Sequence, residues 1–368
     1  MHPFLRSVAL RLPIWALTAL LATTATSATA ATPAEVQLVY DAVRGAHPDF
    51  SVYCQRADAE RRQAVMQSVM ALMRGRQLSD PVGAGTQAGA RLRADCGLDA
   101  APVPAATLRW SSSATPLRFG DERPSIGFLT TAGSLANRIH APEGPGPFPA
   151  VVLNHTIGGV SPHLLVQAKA LIEAGYAVLL VDSYGPRDIR PGTVLFPSEV
   201  AKDAYDALAH LGRQPYIDAT RIFQSGYSLG ALASGLLASP EGARAFKSAA
   251  RFRATVGHYG TCTLQAQPSA QGLELLSADS DRPVLMLMAE QDIETPPQAC
   301  FPLLTQMKAA GRDVQWHVYP GATHGWDKAE NNGHVYRSPT GATMAYRYDA
   351  EVTRDATARM IAFFGRHR

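Results

Sequence analysis

The chain has 368 residues, 46% of them hydrophobic and 18% charged, with 30 Gly, 26 Pro and 4 Cys. That composition excludes collagen-like, coiled-coil, low-complexity and disulfide-dense mini-protein classes, and the length suits one large domain with an accessory piece. The net charge of +3, with no Lys/Arg tract and no basic stripe interleaved with aromatics, argues against a nucleic-acid partner.

Residues 1–30 carry Arg6 and Arg11, no acidic residue, an apolar run from Leu12 to Ala22, and a small-residue stretch closing on Ala28, Thr29 and Ala30. This order predicts a secretory signal peptide cleaved after Ala30. The competing reading, a membrane anchor, needs about twenty apolar residues, roughly twice what is present. No stable membrane anchoring is therefore expected after removal, and the mature chain, with 32 basic and 31 acidic residues, is placed in the periplasm or outside the cell.

In an oxidising compartment cysteines pair by default. Four cysteines allow three pairings. The one that keeps each link local joins Cys54 to Cys96 and Cys262 to Cys300. A cysteine metal site lacks the C-x2-C spacing and the Cys-His cluster it would require, and neither a metal nor a cofactor is expected.

Residues 31–110 read as a helical N-terminal region. Val36, Val39, Ala42 and Val43 recur at helical spacing after Pro33, and Val65, Val69, Leu72 and Met73 do so again. The Gly-rich run Pro81 to Gly89 predicts a break, and the Ala/Pro-rich run Ala100 to Ala106 predicts a boundary. Residues 115–368 then alternate short apolar strands with amphipathic helices. Strands are predicted at Ala150 to Leu153, Ala177 to Asp182, Arg221 to Gly226, Ala254 to Tyr259, Val284 to Met288 and Val314 to Tyr319. Between and after them, helices bury Leu164 to Ile172, Val200 to Leu211, a segment from Leu229, and Val352 to Phe364. Apolar strands separated by helices imply an α/β domain, a mostly parallel sheet covered on both faces.

Between the strand ending at Gly226 and the helix starting at Leu229 stands Gly226-Tyr227-Ser228-Leu229-Gly230, a G-x-S-x-G. Such a turn holds its serine in a strained backbone with Oγ exposed above the sheet, at a helix N-terminus that favours developing negative charge. A serine hydroxyl needs a base, itself oriented by a third group. His324 follows the strand ending at Tyr319, and Asp292 follows the strand ending at Met288, so both belong at the sheet edge that carries Ser228. The order Ser, Asp, His is the one this architecture uses. Glu290 and Asp327 are rival acids, the first placed at a strand end and the second close behind His324. For the oxyanion, one donor is the backbone N–H of Leu229; the second is assigned to Ile157 N–H in the loop Asn154 to Gly159, with Thr156 as the fallback. The plainer reading of that loop is a glycine turn joining strand to helix, with His155 a structural residue.

Together with Phe148 to His155 and Val181-Asp182-Ser183-Tyr184-Gly185-Pro186-Arg187, the Ser228 elbow and the Asp292 and His324 loops make residues 115–368 resemble the α/β-hydrolase superfamily, and within it the dienelactone hydrolase family. The resemblance implies the α/β-hydrolase fold and a small-molecule ester substrate. The family's defining members use a cysteine nucleophile with a glutamate in the oxyanion loop; this chain has Ser228 and Thr156 there. The site therefore looks more like a general serine esterase than a specialised lactone-opening one. Arg187 has two readings, a contact to an anionic substrate group or a brace of its own loop. A polyester or cutinase-like depolymerase is the same-class alternative, and a non-catalytic binding protein on a hydrolase fold is the alternative of another class.

Overall fold

A computed structural model describes residues 31–56, 58–75, 77–96, 116–120, 136–193, 195–264, 273–338 and 341–368, and the chain divides into two units between Ala101 and Pro102. The expected signal peptide and the Ala100 to Ala106 run lie outside the described residues.

The first unit is helical: α1 (Pro33–Ala46), α2 (Phe50–Gln55), α3 (Asp58–Arg74) and α4 (Pro81–Asp95). Thr32 opens α1 with a reciprocal capping box to Glu35, and Asp49 caps α2. One expectation is corrected here, because the Gly-rich run from Pro81 to Gly89 is the first half of α4 and not a break. Asp80 accepts the Gly83 N–H at 2.9 Å and Pro81 takes the first helical position, so a strong start outweighs three glycines. The glycines serve packing: a Cβ on Gly85 would stand 2.9 Å from Val69 of α3.

The core of this unit is small, built mainly from Val39, Val43, Tyr53, Val69, Ala88 and Leu92. So few large side chains leave a short helical unit marginal without a covalent staple. Cys54 and Cys96 supply one, bonded across 42 residues of sequence. Replacing both by serine is expected to cost this unit about 4 kcal/mol, from the loop entropy returned to the unfolded chain. Thermal unfolding followed by circular dichroism checks this, and an unchanged melting temperature would contradict it.

In the second unit a seven-stranded sheet runs in the order β1-β3-β2-β4-β5-β8-β9. The strands are β1 (Ile139–His140), β2 (Phe148–Asn154), β3 (Ala177–Val181), β4 (Ile217–Tyr227), β5 (Thr255–His258), β8 (Val284–Ala289) and β9 (Val314–Tyr319); short β6 (Thr263–Leu264) and β7 (Leu273–Glu274) pair separately. β1 is antiparallel to β3, and every other pairing in the sheet is parallel. The interleaved helices are α5 (Pro162–Glu173), α6 (Pro197–Leu211), α7 (Leu229–Ala238), α8 (Pro240–Ala245), α9 (Phe301–Ala309) and α10 (Ala350–Arg366).

The strand period of two sends alternate side chains to opposite layers. Val151 and Leu153 of β2, with Leu285 and Leu287 of β8, meet Leu164, Leu171, Met360, Phe363 and Phe364 of α5 and α10. Ala150 and Val152 face Val200, Leu208, Leu232 and Leu236 of α6 and α7, while Val284 and Met286 face Leu304 and Met307 of α9. Both faces are covered, which is why the central strands read as unbroken apolar runs. Between the His324 loop and α10 the chain inserts a hairpin, β10 (Val335–Arg337) and β11 (Thr343–Ala345), that the periodicity had not signalled.

Candidate active site

β4 and α7 are joined by one residue, Ser228, at φ 50° and ψ −110°. Its neighbours explain how the chain tolerates that turn. A Cβ on Gly226 would stand 2.1 Å from Gly230 O, and one on Gly230 would stand 2.3 Å from Asn154 O, so glycine is required on both sides. Ser228 N–H donates to His258 O at 3.0 Å and Gly230 N–H to His155 O at 3.1 Å, fastening the turn to β5 and to the loop after β2.

His324 Nε2 lies 2.9 Å from Ser228 Oγ, and its Nδ1 lies 2.7 Å from Asp292 Oδ2. The loops after β9 and β8 thus bring both groups to the elbow. Asp292 also accepts from the N–H groups of Glu294 and Thr295 at 2.8 and 2.9 Å and from the Thr295 hydroxyl at 2.7 Å. Burial alone would push the Asp292 carboxyl up, but the charge and hydrogen bond of His324 hold it below its ordinary value. Burial alone would likewise lower His324, and Asp292 outweighs it, leaving the imidazole above 6.5. The rival acids have other partners: Glu290 accepts the Gly321 N–H at 2.8 Å, and Asp327 accepts the Tyr259 hydroxyl at 2.8 Å.

Leu229 opens α7, where the first-turn N–H groups have no intrahelical acceptor, and its N–H has no partner among the described residues. The Ile157 N–H has none there either, while Ile157 O accepts from Gly192 and the half-exposed side chain faces outward. The fallback residue, Thr156, has its hydroxyl turned away to Gly158 N–H at 3.2 Å and to Lys328 Nζ at 3.3 Å. His155 is buried beneath the loop: Ser183 N–H donates to its Nε2, so its Nδ1–H donates to Thr156 O at 2.6 Å. That histidine ties the loop after β2 to the loop after β3.

Arg187 is turned inward. Its guanidinium grips the fully buried Asp203 of α6 through two contacts, at 2.7 and 2.5 Å, and donates to Ser183 O at 2.9 Å. Of its two sequence readings the structure supports the loop brace and not a substrate contact: both ends of the fork are committed to a carboxylate that has no access to solvent. Cys262 and Cys300 are bonded to each other, linking the segment after β5 to the start of α9, on either side of the Asp292 loop.

Two contributors went unsignalled by the sequence. Tyr259, at φ 41°, sets its ring edge-on to His324 with centroids 4.9 Å apart, and its carbonyl lies 3.0 Å from the Thr295 hydroxyl, whose one proton it shares with Asp292. Thr295 thereby joins Tyr259 to Asp292. An Asp followed three residues later by Thr is a common turn pattern, so only the fold shows its significance.

No curated protein matches this chain significantly. Among solved structures it is similar to a dienelactone hydrolase-like promiscuous phosphotriesterase from metagenomic libraries, at 18% identity and a TM-score of 0.47, covering 62% of this chain and 90% of that one. It is also similar to a thermophilic esterase of the planctomycete Thermogutta terrifontis, at 15% and 0.46, covering 62% and 87%. An α/β-hydrolase from a Medee basin deep-sea metagenome stands at 16% and 0.44, covering 59% and 85%. At such identities and scores nothing of their chemistry transfers. The family model for dienelactone hydrolases, in contrast, matches residues 135–368, the whole sheet with its elbow and both loops. On that match, and with this α/β-hydrolase sheet, the chain belongs to the dienelactone hydrolase family.

Proposed function

We propose that the protein is an exported serine hydrolase that cleaves carboxylic esters through an acyl-enzyme at Ser228. The observation that carries this reading is the continuous chain Ser228 Oγ, His324 Nε2, His324 Nδ1, Asp292 Oδ2, with links of 2.9 and 2.7 Å. His324 takes the Ser228 proton as Oγ attacks the ester carbonyl. The resulting oxyanion is received by the N–H groups of Leu229 and Ile157, which have no partner among the described residues, each such donor contributing about 3 kcal/mol. Collapse expels the alkoxide, which takes the proton back from His324. A water then attacks the acyl carbon as it loses a proton to His324, and the acyl–Oγ bond breaks to release the acid as His324 returns that proton to Ser228 Oγ. Two cystines, together with the leader read from residues 1–30, support export, since disulfides persist in oxidising compartments. Among the described residues no helix is long and apolar enough to cross a membrane.

A fluorophosphonate probe tests the reading: native protein is expected to take one label, mapped by mass spectrometry to the peptide containing Ser228. Folded protein that takes no label would favour a non-catalytic binding role instead.

The pairing of His324 with Asp292 also sets the pH dependence. The base form of His324 is the active one, so kcat/KM rises as pH climbs through its pKa, and Asp292 holds that midpoint above 6.5. Asp292→Asn removes the main group that raises it and leaves burial, which lowers it, opposed only by the weaker pull of Glu294. The variant is expected to lose about 10⁴-fold in kcat and to shift the acid limb to lower pH. A limb that stays in place would show that Asp292 does not govern the base.

A further inference from the structure

Because His324 returns its proton to the leaving alkoxide, the alcohol part of the ester lies on the His324 side of Ser228. On that side the chain carries the β10–β11 hairpin. Tyr346, just past β11, presents its ring to His324 with centroids 6.2 Å apart, and stands so near the loop that a Cβ on Gly325 would be 3.6 Å from it. Its hydroxyl donates to Glu294, two residues past Asp292. Tyr336 of β10 pairs with buried Met344 of β11, and is itself half-buried and close enough to Glu294 and Asp292 for both carboxylates to raise its pKa.

The hairpin is fixed at its root. Gly333 N–H donates to Tyr346 O and Tyr346 N–H to His334 O, both at 2.8 Å, and Arg347 N–H donates to Thr323 Oγ1 at 2.9 Å. Two cations of the neighbouring loops are directed elsewhere: the Arg347 guanidinium holds Gln291 and Gly321 O, and Lys328 Nζ is directed to Thr156 Oγ1, with Glu330 at 3.9 Å. A carboxylate that accepts the hydroxyl of one tyrosine, whose ring lies beside the catalytic imidazole, and that acts on a second tyrosine of the same hairpin, matches the chemistry that recognises quaternary ammonium groups, where aromatic rings and a negative charge act together.

We propose that Glu294, Tyr336 and Tyr346 form the alcohol-side subsite of this hydrolase, and that it takes esters of alcohols bearing a quaternary ammonium or amine cation. This rests on the serine-esterase reading. The test compares kcat/KM for acetylcholine and for its uncharged isostere, 3,3-dimethylbutyl acetate. The charged ester is expected to be preferred by about fivefold to tenfold in the parent protein. Glu294→Gln, which can still accept the Tyr346 hydroxyl, is expected to bring the ratio within about twofold of unity, and Tyr336→Leu to lower it by a smaller factor. Taking a ratio within each variant cancels any general loss of activity. Tetramethylammonium is expected to inhibit hydrolysis of the neutral ester competitively in the parent, a measurement independent of any variant.

A parent ratio near one without such inhibition, or a ratio that survives Glu294→Gln, overturns the subsite while leaving the esterase standing. If neither ester is hydrolysed, or hydrolysis persists in Ser228→Ala, the esterase reading has failed and the subsite goes with it.

Discussion

If the proposed acyl-enzyme forms at Ser228, Ser228→Ala is expected to lower kcat for a short p-nitrophenyl ester by about 10⁵- to 10⁶-fold. What remains would come from the Leu229 and Ile157 N–H groups, which still polarise the carbonyl for attack by water. Alanine keeps the Cβ, so the turn at φ 50° bears the same backbone cost and the melting temperature should not move. Stopped-flow kinetics on the parent should show a burst of alcohol product that the variant lacks. Activity within tenfold of the parent would remove Ser228 from the mechanism.

Arg187→Met is expected to cost about 3–5 kcal/mol of stability, the penalty of leaving a buried charge without its partner. The Asp203 side chain is 0% exposed, and Arg187 is its bidentate counter-ion at 2.7 and 2.5 Å. Thermal or urea unfolding measures the loss. Steady-state kinetics at a temperature where the variant stays folded should show KM changed by less than about threefold, as befits a residue outside the binding machinery. A substrate contact would give the opposite split, with KM raised and the melting temperature held. That outcome would return Arg187 to the site.

The two residues of this bridge show where a sequence falls silent. Asp203 stands three residues after Val200 and four before Ala207, on the buried face of α6, and the helix pattern names no partner for a carboxylate there. Only the docking of the loop after β3 onto α6 makes it a buried counter-ion. By contrast, the elbow was legible because its chemistry is local: two glycines at fixed offsets, a strand before and a helix after. Asp292 and His324 were legible because each follows an unbroken apolar strand, and parallel strands deliver their C-terminal ends to one edge. The hairpin at residues 335–345 escaped because two three-residue strands are too short for alternation to register. Tyr259 escaped because its contribution depends on a positive φ and a carbonyl direction, which no side-chain pattern encodes. The Gly-rich start of α4 misled for a related reason, since its cap and its packing against α3 outweigh the residues' own preferences.

The backbone at Ser228 has a further consequence. A non-glycine residue held in that region gives up on the order of 1–3 kcal/mol. Judged by folding alone, position 228 would be better filled by glycine, as are positions 226 and 230 beside it. The turn is thus a place where durability and reactivity ask for different amino acids. The well-packed sheet on either side supplies the surplus that lets the chain keep the less comfortable one.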